Sequence, residues 1–159
     1  MCVVFAFQTQ AADLTLMAVM NGASVVSATE SKASGQAMAM LTEDGKLTMD
    51  VAFAGLAADA TGVELLIGKA SENGIVIGPL DVGSGETGAS RNGLTMTLTP
   101  EQEQAMRDGM TYVLVRTIDF PAGAIRGQLI PQAPALLGVP VVPQTDEKTN
   151  NSSEPATDR

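Results

Sequence analysis

Carboxylates are the side chains of this chain present in sufficient number for acid–base chemistry. Glu43, Asp44, Asp50, Asp59, Glu64, Glu72, Asp81 and Glu86 run through the middle of 159 residues, and a suitably spaced carboxyl pair is what glycoside hydrolysis uses. Most of them fall at predicted turns or strand ends, where a solvated charge is the simpler reading. Four Phe, one Tyr and no Trp also supply few of the aromatic platforms that sugar sites use. The remaining routes are closed by composition: with no histidine and one cysteine, Cys2, the usual general base, the histidine-assisted serine and the activated thiolate are missing. The chain is expected not to be an enzyme, and no cofactor is expected.

The same absences exclude an imidazole or thiol-rich metal site and an intramolecular disulfide. Met38, Met40, Met49 and Met96 are soft enough to ligate Cu(I). Met38 and Met40, however, stand at strand spacing on one face, where methionine is expected as adaptable core filling. Asp81-Val82-Gly83-Ser84-Gly85-Glu86 reads as a glycine-rich loop; its oxygen donors leave a weak Ca²⁺ site open, without the ligand density of an EF-hand loop. No metal site is assigned. With 18 acidic against 9 basic residues the net charge is −9, which repels a phosphate backbone and argues against a nucleic-acid partner.

The elements that must position these residues are short and alternate with period two, and 16 Gly punctuate them. Asp13 to Met20 is a strand candidate ending at Asn21-Gly22, and Ser24 to Ser34 reads as a loop. Gln36 to Leu41 and Lys46 to Ala54 alternate around Glu43-Asp44-Gly45, a hairpin whose glycine supplies the positive φ of a bulged turn. Gly62 to Gly68 and Gly74 to Leu80 are strands flanking Lys69-Ala70-Ser71-Glu72-Asn73. Leu94, Met96 and Leu98 fall on one strand face and are expected to be buried. Thr99-Pro100-Glu101-Gln102 starts a helix, with Thr as N-cap, Pro at the first position and Gln placed for a capping box, and Gly109 stops it. Tyr112 to Thr117 and Ala124 to Ile130 make a closing hairpin.

Both ends differ in composition from this body. Residues 1–12 resemble the tail of an export signal, an apolar run followed by small residues, although the basic n-region is missing and the run is short. The alternative is an N-terminal strand packed on the domain. Residues 13–130 form the expected domain. From Pro131 to Pro143 four prolines predict an extended arm, whose Leu136-Leu137-Gly138-Val139 and Val141-Val142 either dock on the parent domain or reach a neighbouring molecule. Residues 144–159 are polar, without apolar periodicity, and read as a disordered tail.

The closing hairpin, Tyr112-Val113-Leu114-Val115-Arg116-Thr117 followed by Pro121-Ala122-Gly123-Ala124-Ile125-Arg126-Gly127-Gln128-Leu129, resembles the closing motif of the CHRD (chordin-type) family, YVNVHT, a short gap, then PxGEIRGQL. The family's middle motif, approximately AHIHxGxxGxNGPVV, aligns with Val63 to Val76 and keeps Gly68, Asn73 and Gly74. Tyr112, Thr117, Pro121, Gly123, Arg126, Gly127 and Gln128 are kept in the closing motif, and the likeness spans about Leu14 to Ile130. The chain departs at every characteristic histidine: Glu64 and Leu66 replace HIH, Arg116 replaces the His of VHT, and Ala124 replaces the Glu before Ile-Arg. A function that depends on those histidines is not carried over.

The resemblance implies an all-β fold, an antiparallel β-sandwich of immunoglobulin-like or superoxide-dismutase-like Greek-key type, with one short helix near 100–108. It implies a secreted, periplasmic or cell-surface protein of the bacterial kind, serving as a non-catalytic binding module for a protein or glycan through the loops at Lys69 to Asn73 and Asp81 to Asn92. The alternative is a self-assembling structural subunit, a homo-oligomer joined by edge strands or the proline-rich arm. No transmembrane segment is expected. Superoxide-dismutase activity needs imidazoles and is excluded. Because Glu64 and Arg116 occupy two histidine positions, an ion pair between them is expected, against the alternative that both side chains point into solvent. Arg126 is expected to be structural, its fork satisfying loop carbonyls or a carboxylate.

Overall fold

A computed structural model describes residues 13–133 of the chain. The expected signal segment 1–12, the arm beyond residue 133 and the polar tail 144–159 lie outside the described residues. The elements are β1 (Leu14–Asn21), β2 (Ser34–Leu41), β3 (Lys46–Ala54), β4 (Ala60–Ile67), β5 (Ile75–Pro79), β6 (Ala89–Thr97), α1 (Pro100–Arg107), β7 (Thr111–Thr117) and β8 (Ile125–Pro131). The fold is antiparallel β with one short helix, as the alternating runs and the Thr99-Pro100 start predict.

Hydrogen bonding joins the eight strands into a single sheet in the order β5-β4-β7-β8-β1-β2-β3-β6, where two packed sheets were expected. The sheet curls so that its ends approach each other: a Cβ at Gly78 of β5 would lie 3.4 Å from Met96 Cε of β6. No ladder joins these two strands among the described residues. The concave side holds the core, with Leu16 and Met20 of β1, Leu41 of β2, Leu47 and Met49 of β3, Leu65 of β4, Val113 and Val115 of β7, and Ile125 and Leu129 of β8 almost fully buried. Period-two alternation places the intervening residues on the convex face.

Local chemistry sets the connections. In the β2–β3 hairpin Gly45 adopts φ 74° and its N–H donates to the Thr42 carbonyl at 3.1 Å, a backbone that only glycine enters without steric cost. Thr99 caps α1: the Gln102 N–H donates to its hydroxyl at 3.4 Å and Gln102 Oε1 accepts the Thr99 N–H at 2.9 Å, which satisfies two of the orphan donors of the first turn. Met106 anchors the helix in the core.

Three expectations are corrected. Met38 and Met40 do share a face, but it is the convex one, with 46% and 50% of their surfaces exposed; Ala37, Ala39 and Leu41 are the buried set of β2. Spacing fixed that the two share a face, and only the curl decided which. Leu94 and Met96 are half-buried while Leu98 is buried, because β6 is the last strand of the sheet and has a neighbour on one side only. Pro131 belongs to β8 instead of opening the arm: it pairs with Leu16 and Gln132 continues the ladder by donating to the Thr15 carbonyl at 2.8 Å. A proline at a strand end forfeits only its own donor.

The adjacent residues Leu129 and Ile130, 0% and 57% exposed, test the register directly. Leu129→Ala should destabilise the protein by about 2–5 kcal/mol and Ile130→Ala by no more than about 0.5 kcal/mol in denaturant titration.

Candidate functional site

The densest polar cluster lies on the convex face of β7 and β8, under the β4–β5 loop. Alternation puts Tyr112, Leu114 and Arg116 of β7 on this face, with Arg126 and Gln128 of β8 beside them, since Tyr112 pairs with Gln128 and Leu114 with Arg126. A convex side chain would ordinarily meet water, yet Arg126 is only 2% exposed. The cause is the segment 69–73, which folds back over the sheet and accepts the guanidinium: Arg126 Nη1 donates to the Glu72 carbonyl and Nη2 to the Lys69 carbonyl, each at 2.6 Å. Nη2 also donates to Gln128 Oε1 at 3.3 Å, and the guanidinium carbon lies 3.5 Å from the centre of the Tyr112 ring.

The neighbouring residues complete the clamp. Gln128 Nε2 donates to the Gly68 and Gly109 carbonyls, both at 2.9 Å, tying the loop to the stop of α1. The Gly74 N–H donates to the Tyr112 hydroxyl at 2.8 Å. Glycine is required at Gly74 by close approach, because a Cβ there would run into the Ile67 carbonyl. The partners gathered around Arg126 are neutral: main-chain carbonyls, an amide oxygen and an aromatic face. Burial accordingly pulls the guanidinium below its ordinary pKa, opposed by the Tyr112 hydroxyl group. Such a fork is shaped to bind two carbonyls at once.

A second group lies nearer the β7–β8 turn. Arg116 Nη2 approaches Glu64 Oε2 to 2.7 Å, the two side chains being 35% and 26% exposed. The contact is one of charge more than of aligned hydrogen bonding, since Glu64 Oε2 and Arg116 Nε are buried without a well-directed partner. Arg116 Nη1 donates to the Pro121 carbonyl at 3.3 Å, and Thr117 Oγ1 accepts the Phe120 N–H at 3.1 Å. Gly123 is buried beside Leu114, and Gly127 against Met20 and Val19 of β1.

The structure therefore brings Gly68, Gly74, Tyr112, Arg126 and Gln128 into one cluster, with Asn73 exposed on the loop above it. Thr117, Pro121 and Gly123 shape the turn instead. The two loops expected to bind, Lys69 to Asn73 and Asp81 to Asn92, are separated by β5, and the second is shorter than expected because Ala89 to Asn92 belong to β6; a five-residue strand is about 17 Å long. In the second loop Gly85 N–H and the Ala60 carbonyl, and Ala60 N–H and the Glu86 carbonyl, are joined at 2.9 Å, which spends main-chain groups on the sheet. Among the described residues no three His, Cys, Asp or Glu side chains gather as a metal site. What side-chain identity does not signal is which loop carbonyls the Arg126 fork takes, those of Lys69 and Glu72; the sequence reading also missed the position of Met17. Its alternation with Leu16 and Ala18 could have placed it on the face opposite theirs.

The fold and this cluster define a class: an antiparallel β domain whose buried polar centre fastens a surface loop to the sheet. The chain belongs to the CHRD domain family, whose model matches residues 16–129. No curated protein and no solved structure matches it. Glu64, Leu66 and Arg116, which stand where the resemblance expects histidines, lie together on the convex face, with Glu64 paired to Leu114 and Leu66 to Tyr112.

Tyr112→Phe should leave the Gly74 N–H without its acceptor, lowering stability by about 1–3 kcal/mol and speeding exchange of that amide. Arg126→Lys, which cannot span both carbonyls, should release the loop, seen as faster amide exchange across 70–74. Glu64→Gln, at a part-exposed pair, should change stability by less than about 1 kcal/mol.

Proposed function

We propose that this is a non-catalytic extracellular or cell-surface binding module that recognises a protein or glycan through the β4–β5 loop. The observation that carries the reading is the combination of exposed side chains and fixed backbone at 69–73. Lys69, Ala70, Ser71, Glu72 and Asn73 are all exposed, while the Arg126 fork holds two of their carbonyls. Ser71 is held at φ 67°, a left-handed conformation that a non-glycine residue keeps only where its surroundings impose it. A loop ordered before binding loses little entropy on binding. CHRD membership supports the extracellular setting, secreted, periplasmic or surface-bound, and among the described residues no helix is long and apolar enough to cross a membrane.

A self-assembling subunit is the second reading, favoured by one observation: the open β5 edge exposes Ile75 and Val76 at 78% and 45%, a template for another strand. The strand order also supports the Greek-key sandwich. Counting β5 beside β6 across the seam, β4, β5 and β6 are consecutive neighbours and β7 returns to lie beside β4, the Greek-key arrangement.

Glycan-array and extracellular-protein-array screens should compare the wild type with a Lys69→Glu/Glu72→Lys loop variant. A hit lost in that variant, with unchanged thermal stability, supports the loop as the binding surface. Hits that survive the double substitution count against it. Light scattering should report a monomer; an oligomer dissolved by Ile75→Lys would favour the assembly reading.

A further inference from the structure

The convex face of β1 and β2 carries a group of thioethers that the clamp does not use. Met17 of β1 pairs directly with Met38 of β2, and Met40 lies two residues further along the same strand, on the same face. All three are about half exposed, at 46%, 46% and 50%. Directly paired side chains in an antiparallel ladder have Cβ atoms about 5 Å apart and diagonal ones about 7–8 Å apart. Long, unbranched methionine side chains can turn their sulfurs inward over such distances. Across the next ladder Met38 pairs with Asp50, whose Oδ1 accepts the Gly93 N–H at 2.8 Å. Met17, Met38, Asp50, Gln36 and Asn92 line one open groove of about 250 Å³.

We propose that this face is a site for a soft monovalent d¹⁰ ion, Cu(I), held by the sulfurs of Met17 and Met38, which line the groove, and of Met40 beside it, with Asp50 as the nearby countercharge. Neutral thioethers bind soft cations and discriminate against Zn²⁺, Ca²⁺ and Mg²⁺, which prefer imidazole or oxygen donors. The row is arranged for this: three sulfurs on adjacent strands, one carboxylate opposite the central methionine, and a net charge of −9 that favours a cation. The remaining buried methionines, Met20, Met49 and Met106, sit in the core and cannot take part without unfolding. The site shares no residue with the 69–73 loop and does not depend on the binding-module reading.

The test uses the full chain carrying Cys2→Ser, which removes the competing thiol, with ¹³C-methyl-labelled methionine and Ag(I) as a redox-inert probe, followed by anaerobic competition for Cu(I). The expected result is saturation at one ion per chain, with the Met17, Met38 and Met40 methyl signals moving while those of Met20, Met49 and Met106 stay fixed. Met17→Leu and Met38→Leu keep the apolar surface and remove the sulfur. Each should weaken binding more than about tenfold, beyond the least that loss of a ligand's supporting partner costs, with unchanged unfolding midpoints. Met49→Leu should bind as before. Absence of saturable binding, shifts at Met1 in place of the three, equal movement with Zn²⁺, or undiminished binding by both leucine variants would overturn the proposal. Retained affinity would show that the face serves as apolar surface alone.

Discussion

The buried Arg126 guanidinium is the contact on which the β4–β5 loop and the sheet beneath it depend. A cation taken from water is costly unless its donors are matched, and here the matching comes from main-chain carbonyls at Lys69 and Glu72 with the Tyr112 ring beneath. Because those acceptors belong to a loop, the requirement runs in both directions. The loop must close for the arginine to be satisfied, and the arginine must be present for the loop to hold its shape. Gly68 and Gly74 permit the close approach, and Gln128 extends the same logic to the end of the helix.

This constraint divides the convex surface. Over β7 and β8 the loop roofs Tyr112, Arg126 and Gln128, and Leu66, Tyr112 and Leu114 form a small apolar cluster of their own. Over β1 and β2 nothing among the described residues covers the sheet, so Met17, Val19, Met38 and Met40 face outward. One strand pattern thus yields two chemically distinct surfaces, a rigid polar one and an open thioether one. The core beneath is shared, and its packing is indifferent to which surface lies above.

Glu64, Leu66 and Arg116, which stand where the resemblance expects histidines, lie on the convex face. Glu64 and Arg116 are brought to charge contact because β4 and β7 are ladder neighbours. Their partial exposure keeps the energetic value of that contact small. Stability in this region comes instead from the clamp and from apolar burial.

Much of this was legible in the residues. Alternation around Gly45, the Thr99-Pro100-Glu101-Gln102 start and the Tyr112 and Arg126 strands are local signals, because turn conformation, capping and period-two patterning are decided within a few residues. The family motif likewise named the clamp's side chains. Which carbonyls converge was not legible: the two loop acceptors of Arg126 lie 57 and 54 residues away and are peptide carbonyls, which every residue possesses. Nor could spacing say that Met38 and Met40 face outward, since a period-two pattern fixes that two residues share a face but leaves the choice of face to the curl of the sheet. The sequence by itself determined the helix, the turn chemistry and the strands apart from the start of β6 and the end of β8. The tertiary structure alone decided which face was roofed, which residues met, and which stayed open, because those outcomes depend on strand neighbours remote in the chain.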